Sequence, residues 1–146
     1  ETPPPSRPSA SPAELVEAGL QAGARAVSVG LGDPSDVREL AAAAGVPLIA
    51  MASSVADAVR AVECGAEVVV AQGAEAGGHR STFDVPADGA VPLVGTLALV
   101  PQVTAAVDVP VIAAGGIMGG RGLAAAPALG ARGVQMGRRF LVADER

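Results

Sequence analysis

A glycine-alanine junction recurs three times in this chain, as Gly23-Ala24-Arg25-Ala26-Val27, Gly65-Ala66-Glu67-Val68-Val69 and Gly130-Ala131-Arg132-Gly133-Val134. Each copy follows an alanine-rich stretch and leads into a β-branched one. A reused junction of this kind implies a reused helix-to-strand unit. Five apolar runs fit the strands of such units: Ala26–Gly30, Val46–Met51, Glu67–Gln72, Val109–Ala114 and Gly133–Gly137. None alternates cleanly over its whole length, as expected for parallel strands with both faces covered. Between and before them, Ala13–Ala22, Asp36–Ala44, Ala56–Cys64, Leu97–Val107 and Gly122–Leu129 have helical composition, and several end at a glycine suited to a C-cap. The alternation predicts an α/β fold with parallel strands and right-handed crossovers. Either a (β/α) barrel or a doubly wound sheet satisfies the pattern. Glycine-rich segments at the C-terminal ends of three strands, Gly73–Gly78, Gly115-Gly116 and Gly137, favour the barrel, whose active sites collect at that end.

At 146 residues, half of them apolar, the chain has the length and composition of one domain with a substantial core. Residues 1–12, with Pro3-Pro4-Pro5, Pro8 and Pro12, read as an extended linker, leaving 13–146 for the folded domain. All ten basic residues are arginine, the formal net charge is −5, and Phe83 and Phe140 are the only aromatics. Neither a basic stripe nor a stacking platform for nucleic acid is available. One histidine, one cysteine and scattered carboxylates give no metal-ligand spacing. Cys64 reads as a small packing residue. With no long apolar run and no signal pattern, the sequence reads as a cytoplasmic, non-membrane chain.

The lone histidine stands in Gln72-Gly73-Ala74-Glu75-Ala76-Gly77-Gly78-His79, directly after the third strand. Gly77 and Gly78 let backbone approach a flat ligand closely. The imidazole of His79 can take a proton from a weakly acidic carbon or hold an anion. An incidental histidine on a surface loop is the plainer alternative. Glu75 either orients this loop or sits in water. Further along, Val111–Ala114 runs into Gly115-Gly116-Ile117, and the last strand ends in Gln135-Met136-Gly137-Arg138-Arg139. Adjacent glycine-opened loops after the last two strands of a barrel make a phosphate site, and the bare N–H groups of these two suit that use.

Three segments together resemble the nitronate monooxygenase family, also called 2-nitropropane dioxygenases: Val70–His79, Pro110–Ile117 and Gly133–Phe140, with Leu97–Val103 between them similar to the family's connecting segment. The resemblance spans roughly Leu15 to Asp144. It implies an FMN-dependent TIM (β/α)8 barrel oxidoreductase that oxidises alkyl nitronates or nitroalkanes with molecular oxygen. It makes His79 the catalytic base or anion-holding group. It assigns flavin contacts to Gln72 and Gly77 near the ring, Gly116 at the strand-seven loop, and Gln135, Met136, Gly137 and Arg138 around the phosphate. The five strands correspond to strands four to eight, so the chain is expected to be a partial barrel that self-associates or needs an N-terminal half.

Three local departures from the family pattern carry expectations of their own. Arg138 replaces a small hydroxyl residue after Met136-Gly137, Gly119 stands where a side-chain helix cap is common, and Pro127 falls inside a helical stretch. Two other functions fit the residues. One is an FMN- and NAD(P)H-dependent enoyl-thioester or quinone reductase; the other is an inactive flavin-binding half-barrel.

Overall fold

The computed structural model describes residues 10–85 and 87–142. Most of the proline-rich stretch lies outside them. Its last residues do not extend the linker: Pro12 is the first residue of helix α1 (Pro12–Gln21), and Ser11 is its N-cap. The Ser11 hydroxyl accepts from the Glu14 amide, and the Glu14 carboxylate accepts from the Ser11 amide, which satisfies two otherwise unpaired N–H groups.

Along the chain follow β1 (Val27–Val29), α2 (Ser35–Ala44), β2 (Leu48–Ala52), α3 (Val55–Glu63), β3 (Val68–Gln72), α4 (Thr96–Ala106), β4 (Val111–Ala114), α5 (Gly120–Ala128), β5 (Gly133–Gln135) and the short α6 (Arg138–Leu141). The first five helices and all five strands lie where composition and periodicity put them, with ends shifted by up to two residues. The single turn of α6 was not anticipated, since four residues are too few to carry a helical period.

The recurring junction has a definite job. Gly23, Gly65 and Gly130 adopt φ of 93°, 97° and 92°, a left-handed turn that only glycine takes without strain. The next amide then reaches back over the helix end, Ala24 to Gly19, Ala66 to Ala61 and Ala131 to Ala126. This is the double-bonded helix stop that caps the final carbonyls. One residue later the chain joins the sheet, as Glu67 N bonds to Leu48 O and Arg132 N to Val111 O. The alanine of the motif is needed where it is buried, at Ala66 and Ala131.

All five strands are parallel and neighbour one another in sequence order, β1-β2-β3-β4-β5. A doubly wound sheet reverses its order at a switch point, and this one does not. Right-handed crossovers that always step the same way keep every helix on one face. The core lies there, between Ala50, Ala52, Val69, Ala71, Val111 and Ala113 of the sheet and Ala58, Ala61, Leu99, Val100 and Val103 of α3 and α4. Alanine at so many contacts brings helix and strand close and explains how a chain nearly without aromatics packs. On the opposite face Ile49, Met51 and Ile112 are only half-buried, alternating with the buried residues of β2 and β4. The expectation of strands covered on both faces is therefore met on the helix side, and on the other face at β3, where Val70 between Met51 and Ile112 is buried.

Of the two irregularities expected in the later helices, Gly119 is the α5 N-cap and gives no side-chain bond. Pro127 sits in the last turn of α5, where the helix is about to end in any case. A second proline, Pro101, lies inside α4.

Candidate active site

The C-terminal ends of β3, β4 and β5 open into a cavity of about 690 Å3. Each strand contributes through the loop that follows it. The β3 side provides Gln72, Glu75, Ala76, Gly77 and Gly78; the β4 side Ala114, Gly115, Gly116, Ile117 and Met118; and the β5 side Gln135, Met136, Gly137, Arg138 and Leu141. Met51 of β2 completes the wall. All seven residues assigned flavin contacts by the family resemblance, Gln72, Gly77, Gly116, Gln135, Met136, Gly137 and Arg138, thus line one space, although up to 66 positions separate them in sequence.

His79 stands differently. It is exposed and lies one residue beyond Gly78, the last lining residue of its loop. Its course is fixed through the backbone. The Gln72 side chain, 3 % exposed, donates from Nε2 to the His79 carbonyl at 3.0 Å and accepts at Oε1 from the Ser81 amide at 2.8 Å. In the opposite direction Arg80 Nη1 donates to the Gln72 and Gly73 carbonyls at 2.8 and 3.0 Å. Strand end and loop therefore hold each other across His79. Much of the Gln72 amide is spent on this task, a role the sequence reading did not give it.

Between β3 and α4, the described residues 73–85 and 87–95 have no regular structure, and so long a connection in a compact domain is a mark of function. Its outer part is tied to α3 by Arg60, which pairs with Asp84 at 2.8 Å and Asp33 at 3.5 Å and lies 4.8 Å from the Phe83 ring centroid. Such exposed pairs steer a loop more than they stabilise a fold. Asp33 is also held down to about 2 by the hydroxyl and amide of Ser35.

Glu75, although exposed, is an orienting residue. Its Oε2 accepts from the Thr96 amide at 2.9 Å and from the Thr96 hydroxyl at 2.8 Å, capping α4, whose own N-cap, Gly95, has no side chain to offer. Burial works to raise the Glu75 pKa, but the Thr96 hydrogen bonds and the Arg80 charge outweigh it and hold the carboxyl below its usual range. Sequence reasoning missed Thr96 altogether. Its one local sign is the glycine before it, which leaves a helix start uncapped.

Two glycines of the loop after β3 owe their identity to protein contacts. A Cβ on Gly73 would overlap the Thr96 hydroxyl and come within 2.6 Å of Thr96 Cα, and one on Gly77 would lie 2.8 Å from Arg138 Nε. Arg138 thus lies along the bare Gly77 backbone from the opposite loop. Gly73→Ala is expected to destabilise the chain by about 1–3 kcal/mol through overpacking. A denaturation midpoint equal to that of the parent would mean that α4 can shift freely, contrary to this account.

Among the described residues no group of three or more His, Cys, Asp and Glu side chains is placed to hold a metal, and no helix is long and apolar enough to cross a membrane.

Comparison with known proteins places this arrangement. A probable nitronate monooxygenase of Staphylococcus saprophyticus is 45% identical over 133 residues, covering 90% of this chain and 38% of the relative. Among solved structures, nitroalkane oxidase from Streptomyces ansochromogenes superposes with a TM-score of 0.81 at 37% identity, over 89% of this chain and 38% of that one. FabK from Thermotoga maritima gives 0.78 at 38%, over 92% and 40%. The chain thus spans about two-fifths of the length of these proteins, and its five strands form part of a TIM barrel. The family model for nitronate monooxygenase matches residues 10–146, taking in all three loops of the cavity, and the chain belongs to that family.

Proposed function

We propose that this chain forms the cofactor-phosphate and proton-transfer side of an FMN-dependent enzyme that oxidises alkyl nitronates or nitroalkanes with molecular oxygen. One observation carries the reading: residues from three separate loops, all assigned to one cofactor, line a single cavity of a size usual for small-molecule sites.

The residues present fit such a group. Gly115 and Gly116 have φ of 114° and 68° and present bare backbone, and the uncapped start of α5 leaves first-turn N–H groups without a side-chain partner. Arg138 is the one cationic side chain in the lining. Met51, Ile117, Met118 and Met136 give the same cavity apolar surface. Bare N–H groups, a cation and apolar walls suit a ligand with a phosphate tail and a flat ring. When bound, FMN would supply the redox chemistry.

The chain's own contribution is binding and proton transfer. Gly116, Gly137 and Arg138 hold the phosphate, while Gln72 and Gly77 flank the ring. His79 takes the proton from the carbon bearing the nitro group, converting the neutral nitroalkane to its nitronate anion. The Gln72 and Arg80 bonds keep the loop that carries His79 from drifting, so the base stays in reach.

A ligand-bound structure tests the placement. The phosphate is expected between Gly116 and Gly137; finding it at Gly30-Leu31-Gly32 would overturn the assignment. Turnover separates the alternatives: nicotinamide oxidation without a nitro substrate selects the reductase reading, and bound yellow flavin without any turnover selects the silent half-barrel.

A further inference from the structure

We propose that Glu75 and Thr96 form a clasp that sets the conformation of Gly115 and Gly116, which makes them positioning residues for the phosphate end of the cavity. The inference rests on the reading of that end as a phosphate site, and extends it to two residues that the reading does not use.

The segments that follow β3 and end β4 converge on one hydroxyl at the start of α4. Thr96 Oγ1, in a residue only 8 % exposed, lies 2.8 Å from Glu75 Oε2, 3.0 Å from the Gly115 carbonyl and 3.3 Å from the Ala114 carbonyl. A hydroxyl has one proton to give, so these acceptors compete for it. The carboxylate is additionally bonded to the Thr96 amide, which keeps it in place whichever acceptor the hydroxyl serves.

Packing makes the arrangement tight. A Cβ on Gly115 would sit 2.7 Å from Thr96 Oγ1 and 2.9 Å from the Ala76 amide nitrogen, so the hydroxyl occupies room that any other residue would fill. From the other side the Glu75 stem lies 3.5 Å from the position a Gly116 Cβ would take. In a trans peptide the carbonyl and the following N–H point in opposite directions. A Gly115 carbonyl drawn toward Thr96 therefore turns the Gly116 N–H away from it. No cis peptide interrupts this relation among the described residues. The Glu75 charge does not bar an anion nearby, because the Thr96 amide donates to it and the Arg80 charge offsets it.

Comparing FMN with riboflavin, which lacks the phosphate, isolates the effect. Flavin fluorescence quenching gives both dissociation constants for the parent chain and for Thr96→Val, Thr96→Ser and Glu75→Asp. The parent is expected to prefer FMN by about tenfold or more, the scale of a few hydrogen bonds to a charged group. Thr96→Val removes the hydroxyl, and Glu75→Asp withdraws the carboxylate while keeping its charge. Each should cut the preference roughly three- to tenfold by weakening FMN more than riboflavin, and Thr96→Ser should restore it. General loosening of the fold would weaken both flavins alike and leave the ratio intact. That outcome in both variants overturns the clasp. Should Thr96→Val fail to fold, Glu75→Asp decides alone, because its side chain is exposed. Equal parent affinities for the two flavins would instead reject the phosphate reading, and the clasp's role with it.

Discussion

Replacing His79 with alanine in an enzyme with a closed barrel is expected to lower turnover of a neutral nitroalkane by about 100- to 10,000-fold, the usual contribution of a general base. Flavin should stay bound. His79 is exposed and lies outside the cavity lining, and its main-chain carbonyl, which alanine retains, is the atom Gln72 holds. The loop should therefore keep its course when the ring is removed. Activity on preformed nitronate should fall much less, since its proton is already gone. This asymmetry separates two roles that one substrate cannot distinguish. Equal losses on both substrates would reject proton abstraction and leave anion binding, while no loss on either would return His79 to an incidental surface residue.

The sequence carried the strands because their signal is local. Val68–Ala71 and Val111–Ala114 are apolar runs closed off by glycine, and nothing distant is needed to read them. The start of the domain was legible too, to within one helical residue and its cap. Ser11-Pro12-Ala13-Glu14 is a capping box with proline at the first helical position, and it places the helix start inside what proline content alone assigns to a linker.

The cavity was legible in its glycines, but their purpose was only partly so. Gly73 resembles the others in sequence, yet the space beside it is taken by Thr96, a residue 23 positions away. A missing Cβ tells that something comes close. It does not say whether that is ligand or protein. For the same reason Glu75 could not be settled from sequence, because its partner belongs to a helix that arrives only after the long loop has closed.

Expressed by itself, the 146-residue chain is expected to associate with further copies and to bind FMN weakly, without nitronate turnover. A TIM barrel closes with eight strands, and five parallel strands in sequential order leave one side each of β1 and β5 unpaired among the described residues. Unpaired parallel edges offer rows of N–H and C=O groups to any other strand. The sheet face away from the helices adds half-exposed Ile49, Met51 and Ile112 to these edges. Apolar surface continuous with open edges favours pairing over a monomer. The cavity suffers from the same geometry. Its walls come from β2 to β5 and their loops, and a barrel's mouth is ringed by eight such loops. Phosphate contacts can form on the β4 and β5 side while the ring remains open to water opposite them, so the affinity should fall well below that of a closed barrel. Size-exclusion chromatography read at the protein and flavin absorbance bands tests both parts at once. A stable monomer that elutes with stoichiometric FMN and oxidises a nitronate would show that five βα units suffice, and would require the inner face to be covered by a rearrangement other than barrel closure.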